Sequence, residues 1–245
     1  SQSSVITNEN GWVKRGYSSN YCRPVFAVMD PELTMTLPPY QTACGCVDIL
    51  MHTMERYFNH SGSMEITDGI AEALMQTVIR NALIVMQHPN DYNARAEIMW
   101  AGSLSHNGLT DCGCDHGDWA THKMEHELGG LFDVAHGAGL AAIWGSWARY
   151  VCDADYARFA RFATKVLNVA PQATDKETAL AGIDAMEQFY HSIQMPTSLR
   201  ELGISPTEEQ LQEMARKCIL ATNGPAGKVK PLHQNDVENI YRAAL

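Results

Sequence analysis

Asp48 and His52 lie four residues apart in the run CVDILMH. On a helix that spacing puts both side chains on one face. A carboxylate and an imidazole so placed can grip a divalent metal together, although the pair alone fits a surface Asp–His contact just as well. His122 and His126 are also four apart, in THKMEHELGG, and His136 follows in DVAHGAGLA. Three imidazoles thus fall within fifteen residues, across a glycine break. Such a cluster is costly to bury unless a charge or a metal organises it. Imidazoles combined with a carboxylate suit a borderline divalent ion, ferrous iron or zinc.

Other chemistries fail on spacing. A zincin-type protease needs Glu directly after the first of two histidines as general base. Lys123 stands there, and Glu125 and Glu127 sit at the wrong offset. Cys44-Gly45-Cys46 and Cys112-Gly113-Cys114 invite a thiolate metal site. Usual zinc frameworks place two or more residues between paired cysteines, so these read as small apolar fillers. Nothing around Asp115-His116 completes a phosphohydrolase site.

The elements that must hold these residues are mostly helical. Val5–Thr7 and Trp12–Tyr17 flank Asn8-Glu9-Asn10-Gly11, a hairpin signal. Pro24–Met29 reads as a buried strand. After Pro38-Pro39 the apolar spacing turns helical. Helices are expected over Gln41–Asn59, from Ile66 to Met86, over Asp91–Leu104, over Ala120–Leu128 ending at Gly129-Gly130, and from His136 to Tyr150. Gly108–Gly117 is a loop. Thr174 with Glu177 forms a capping box. Ser205-Pro206-Thr207-Glu208 opens another helix, and Asn235 caps the last. Eight or nine helices follow a small β segment.

The net charge of −10 argues against nucleic acid or an anionic membrane as partner. No secretory leader is visible, and no apolar run approaches the roughly 20 residues that span a bilayer. Seven cysteines in such a chain read as reduced thiols in the cytoplasm. The chain opens without Met, on polar residues that lead into a strand, as the middle of a larger protein would.

The runs LPPYQTACGCVDILMHTMERY and DWATHKMEHELGGLFDVAHGAGLA resemble the two metal-site segments of iron-containing alcohol dehydrogenases, in the butanol-dehydrogenase-like group. The resemblance extends from Val5 to the closing IYRAAL. It implies that Asp48, His52, His122 and His136 are the ligands of one divalent metal, ferrous iron ahead of zinc. It implies that His126 lies beside the nicotinamide and substrate, in proton transfer, and that Lys14 contacts the cofactor. Residues 1–39 would be the remnant of an α/β nucleotide-binding domain, a hairpin plus one strand. Residues 40–245 would be an all-helical metal-binding domain of the dehydroquinate synthase-like type. The implied reaction is reversible hydride transfer between a primary, butanol-like alcohol and NAD or NADP, with the metal polarising the substrate oxygen. The implied partners are a small alcohol or aldehyde and a second copy of the chain. The sequence holds no glycine-rich turn joining a strand to a helix, so no turnover is expected from this chain by itself. The rivals are a metal-dependent hydrolase that needs no nucleotide and an inert metal-binding helical module.

Overall fold

The computed structural model describes residues 2–59 and 62–245. Strands β1 (Ser3–Asn8) and β2 (Val13–Ser18) pair antiparallel, with Ser3 opposite Ser18 and Asn8 opposite Val13. The turn places Gly11 and Trp12 at positive φ, which the glycine makes easy. Nine α-helices follow among the described residues: α1 (Pro39–Tyr57), α2 (Glu65–Gln87), α3 (Tyr92–His106), α4 (Ala120–Phe132), α5 (His136–Val151), α6 (Tyr156–Val166), α7 (Asp175–Ser192), α8 (Glu208–Thr222) and α9 (Gln234–Ala243). The mainly helical fold with a small N-terminal sheet is as expected.

Helix α5 runs through the centre. Leu140, Ile143, Trp144, Trp147 and Val151 are at or near zero exposure. It packs on α1, α4, α7 and α9. Two glycine devices bring the outer pieces close. A Cβ on Gly137 would run into the backbone carbonyl of Cys44, so α1 and α5 cross almost backbone to backbone there. A Cβ on Gly130 would lie 3.0 Å from the carbonyl oxygen of Trp12, and one on Gly129 would meet Glu125 and the Lys14 ammonium. Gly129-Gly130 therefore does not stop α4, as the sequence suggested. The helix runs on to Phe132 and turns at Asp133, which adopts the left-handed conformation. The glycine pair instead lets β2 lie against the helix.

The opposite end is held by charge. Arg158 on α6 reaches Asp68 on α2 through two hydrogen bonds of 2.5 and 2.6 Å and donates twice more to the Tyr57 carbonyl at the end of α1. Helix α2 is long and apolar enough to cross a membrane by length and composition, closer to that limit than the sequence reading allowed. It packs on α1, α3 and α6.

Three expectations shift. Pro24–Met29 forms no strand; Val25 is fully exposed and Phe26 is 79% exposed. A strand needs a neighbour for its N–H and C=O groups, and the two-stranded sheet ends at β2. Helix α8 is capped by Thr207, with Gln210 completing the box, two residues after Ser205. Its apolar face, Leu211, Met214 and Cys218, is buried from that start. Helix α9 begins at Gln234, one residue before Asn235, where Asp236 accepts the His233 N–H at 2.8 Å.

Candidate metal centre

Helix α1 presents Asp48, His52 and Glu55 on successive turns, α4 presents His122, Glu125 and His126, and α5 begins with His136. The Gly137 crossing sets the start of α5 beside the middle of α1. As a result three Nε2 atoms converge on one carboxylate oxygen. Asp48 Oδ1 lies 3.7 Å from His52, 3.6 Å from His122 and 3.4 Å from His136. Asp48 Oδ1 and His122 Nε2 are buried and have no hydrogen-bond partner among the described residues. Ligands held about 2.1 Å from a tetrahedral centre lie about 3.4 Å from each other. Among the described residues, Asp48, His122 and His136 bring ligand atoms within 4.8 Å of one another, as do Asp48, His52 and His106; a small cation is what the unpartnered polar atoms there would accept.

The rings are oriented from behind. His122 Nδ1 is 2.9 Å from Glu55 Oε1, which also accepts the His122 backbone N–H at 3.0 Å. The other Glu55 oxygen accepts the Trp119 N–H at 2.5 Å. Glu55 is 2% exposed and sits at the N-terminus of α4, where the helix dipole favours a carboxylate. His136 Nδ1 is bonded to Glu125 Oε2. Lys14 Nζ, from β2, lies 3.1 Å and 3.3 Å from the two Glu125 oxygens and 3.5 Å from His136 Nδ1. The Lys14 side chain is 15% exposed, held against Glu125 rather than free in solvent. A carboxylate behind His122 and another behind His136 fix the tautomer and turn Nε2 forward, the usual support of a metal-ligating histidine.

Electrostatics agree with that arrangement. Burial alone would raise the Asp48 carboxyl, but His122, His52 and His136 outweigh it and hold it well below the usual carboxylate range. Burial, then the nearby His122, pushes His52 down to about 2. Burial opposes a charge on His122, yet Asp48 and Glu55 on its two sides lift it to about 9. Two carboxylates flanking one ring call for a positive charge, and a bound cation meets the same demand. His126 is depressed to about 3, by burial first and then by His136 and Lys14. Its ring is 5.7 Å from that of His136, one step out from the four converging side chains.

The sequence points to neither Glu55 nor His106, and to Glu125 only as a residue at the wrong offset for a protease base. Glu55 stands seven residues after Asp48, two turns along the same face, and Glu125 three residues after His122. Those offsets were visible, but nothing in the sequence says that the two helices meet. Cys44 and Cys46 are buried in the core, away from any thiolate framework, and Asp115 pairs with Lys228 at 2.8 Å.

Residues 42–245 match the model of the Fe-containing alcohol dehydrogenase family, C-terminal. The chain belongs to this family. Among its relatives are NADH-dependent butanol dehydrogenase A of Clostridium acetobutylicum, 36% identical over 98% of this chain and 61% of that protein, and the NADPH-dependent aldehyde reductase YqhD of Escherichia coli, 34% identical over 82% of this chain and 51% of that one. The crystal structure of NADH-dependent butanol dehydrogenase A from Thermotoga maritima superposes with a TM-score of 0.93 at 34% identity, covering 99% of this chain and 62% of that one. The chain therefore spans about three-fifths of the length of these Fe-containing alcohol dehydrogenase relatives.

Proposed function

We propose that this chain is the metal-binding part of an NAD(P)-dependent alcohol dehydrogenase that interconverts small primary alcohols and aldehydes. The observation that carries the reading is the meeting of His52, His122 and His136 Nε2 on Asp48 Oδ1 within 3.4 to 3.7 Å, with buried polar atoms left unpartnered among the described residues. Asp48, His52, His122 and His136 would hold one divalent cation, ferrous iron ahead of zinc. When bound, the cation supplies Lewis-acid polarisation of the substrate oxygen, and the nicotinamide supplies the hydride acceptor or donor.

The chain's own residues do the rest. Glu55 and Glu125 hold His122 and His136 in the tautomer with Nε2 free. Lys14 neutralises Glu125, which carries no solvent exposure, and would contact the cofactor. His126 would move the proton between the reacting oxygen and solvent; burial first, then His136 and Lys14, keeps its ring neutral in the folded chain. A boundary near residue 39, a cytoplasmic homodimer and the lack of turnover by this chain alone belong to the same proposal.

The test is elemental analysis of the full-length protein followed by NAD(P)H consumption with butyraldehyde. One iron or zinc per chain and aldehyde-dependent oxidation of NAD(P)H are expected. A metal-loaded protein that binds no NAD(P)H but cleaves an ester would overturn the reading in favour of a hydrolase.

A further inference from the structure

Four histidines, not three, face Asp48. His106, in the last turn of α3, puts Nε2 3.9 Å from Asp48 Oδ2, and its ring centre lies 3.8 Å from that of His52. His106 Nδ1 is 3.0 Å from the Gly102 carbonyl oxygen and 2.8 Å from Ser105 Oγ. A carbonyl oxygen only accepts, so Nδ1 carries the proton. Ser105 donates its own O–H to the same carbonyl at 3.0 Å, which leaves its oxygen to accept from His106. Nε2 then presents a bare lone pair to a carboxylate oxygen. Two acceptors facing each other repel, and a cation beside both reverses the sign.

The arrangement repeats what His122 and His136 show. In each, Nδ1 is tied to an acceptor and Nε2 is turned toward Asp48. His52 lacks that support, because its Nδ1 is buried with no hydrogen-bond partner among the described residues. By its bonding pattern His106 is better prepared to ligate than His52. No local spacing hints at this, since His106 stands sixteen residues ahead of His122, at the end of a different helix.

We propose that His106 Nε2 is a fifth protein donor to the cation held at Asp48, reaching it from the Oδ2 side next to His52. The inference rests on the metal-centre reading above and adds a ligand to it. Asp48, His52 and His106 offer ligand atoms within 4.8 Å of one another, as do Asp48, His122 and His136. The two groups share Asp48, so one ion drawn toward both carboxylate oxygens would engage them together.

Cobalt(II) is the probe, added to the metal-free chain. Bound cobalt per chain, affinity by competition with a chelator, and the visible absorption of the ion are measured for the unmodified protein, His106→Ala, His106→Gln and His122→Ala. One cobalt per chain is expected in the unmodified protein. In both His106 variants the affinity should fall by about 10-fold or more, and the visible bands should intensify as the coordination number drops. Far-UV circular dichroism of the two variants separates loss of a donor from loss of fold. Unchanged affinity and spectrum in a folded His106 variant would overturn the inference. So would two cobalt ions in the unmodified protein with one lost in His106→Ala, since that describes a separate second site. Failure of the unmodified protein to bind any cobalt would instead remove the metal-centre reading itself.

Discussion

Glu55 reaches across from α1 to hold His122 on α4 twice, by the ring Nδ1 at 2.9 Å and by the backbone N–H at 3.0 Å. One buried carboxylate thereby sets both the position of a helix start and the tautomer of a metal-facing ring. Glu55→Gln keeps an acceptor but removes the charge behind His122. Metal affinity is expected to drop by about 10- to 100-fold, with a smaller loss of stability. Glu55→Ala leaves the N–H groups of Trp119 and His122 without a partner and should cost about 1 to 3 kcal/mol for each group left bare. Chelator competition and urea unfolding of both variants measure the two effects, and equal metal affinity across the series would refute the orienting role.

His122 and His126 share a helix face, and the proposed function gives them different tasks. His122→Ala should abolish tight metal binding, because it removes a fully buried ring between two carboxylates. His126→Ala should keep the metal and lower kcat of the full-length enzyme by about 100-fold or more, the usual range for a lost general acid or base. Metal content by elemental analysis, alongside steady-state rates, distinguishes the two. An empty site in His126→Ala would show that the division between ligand and relay is wrong.

The legible part of this site was the part set by spacing along one helix. Asp48 with His52, and His122 with His126, can be placed on common faces before any fold is known, and His136 joins them as the third imidazole of a dense cluster; the family resemblance adds the ligand assignment and Lys14. What brings them together is not local. Gly129-Gly130 looked like a helix stop because glycine is common there, yet its use is to let β2 carry Lys14 to Glu125. Pro24–Met29 has the composition of a buried strand, but composition cannot supply the neighbouring strand that would pair with it. Glu55 and His106 depend on contacts between α1, α3 and α4, which no local pattern encodes.

Gly137 offers a direct test of the α1–α5 crossing. A methyl group there collides with the Cys44 carbonyl, which is backbone and cannot rotate away. Gly137→Ala should destabilise the chain by about 1 to 3 kcal/mol and push His136 away from Asp48, weakening metal binding as well. Gly45→Ala, three positions before Asp48, meets nothing within 4 Å and should be neutral or slightly stabilising in the α1 helix. Parallel denaturation curves decide the matter; equal stability for the two variants would mean that the helices can part without cost.

The buried thiols predict how stability depends on alkaline pH. Burial pushes Cys46 and Cys218 from the ordinary 9.0 up to about 12 in the folded chain. Between these values the unfolded chain releases protons that the folded chain retains. The stabilising contribution is therefore complete below about pH 9 and is lost progressively as the pH rises toward 12. Each thiol should lower the unfolding free energy by about 1.4 kcal/mol per pH unit across that window. Cys46→Ala should flatten the alkaline limb of the stability curve, even if it lowers the plateau by leaving a small cavity. In the native state at neutral pH, a thiol reagent should modify the exposed Cys22 and Cys112 quickly and leave Cys46 and Cys218 untouched until denaturant is added. Rapid labelling of Cys46 without unfolding would mean that α1 is not packed into the core as described, and the metal-facing side of the same helix would then be in question too.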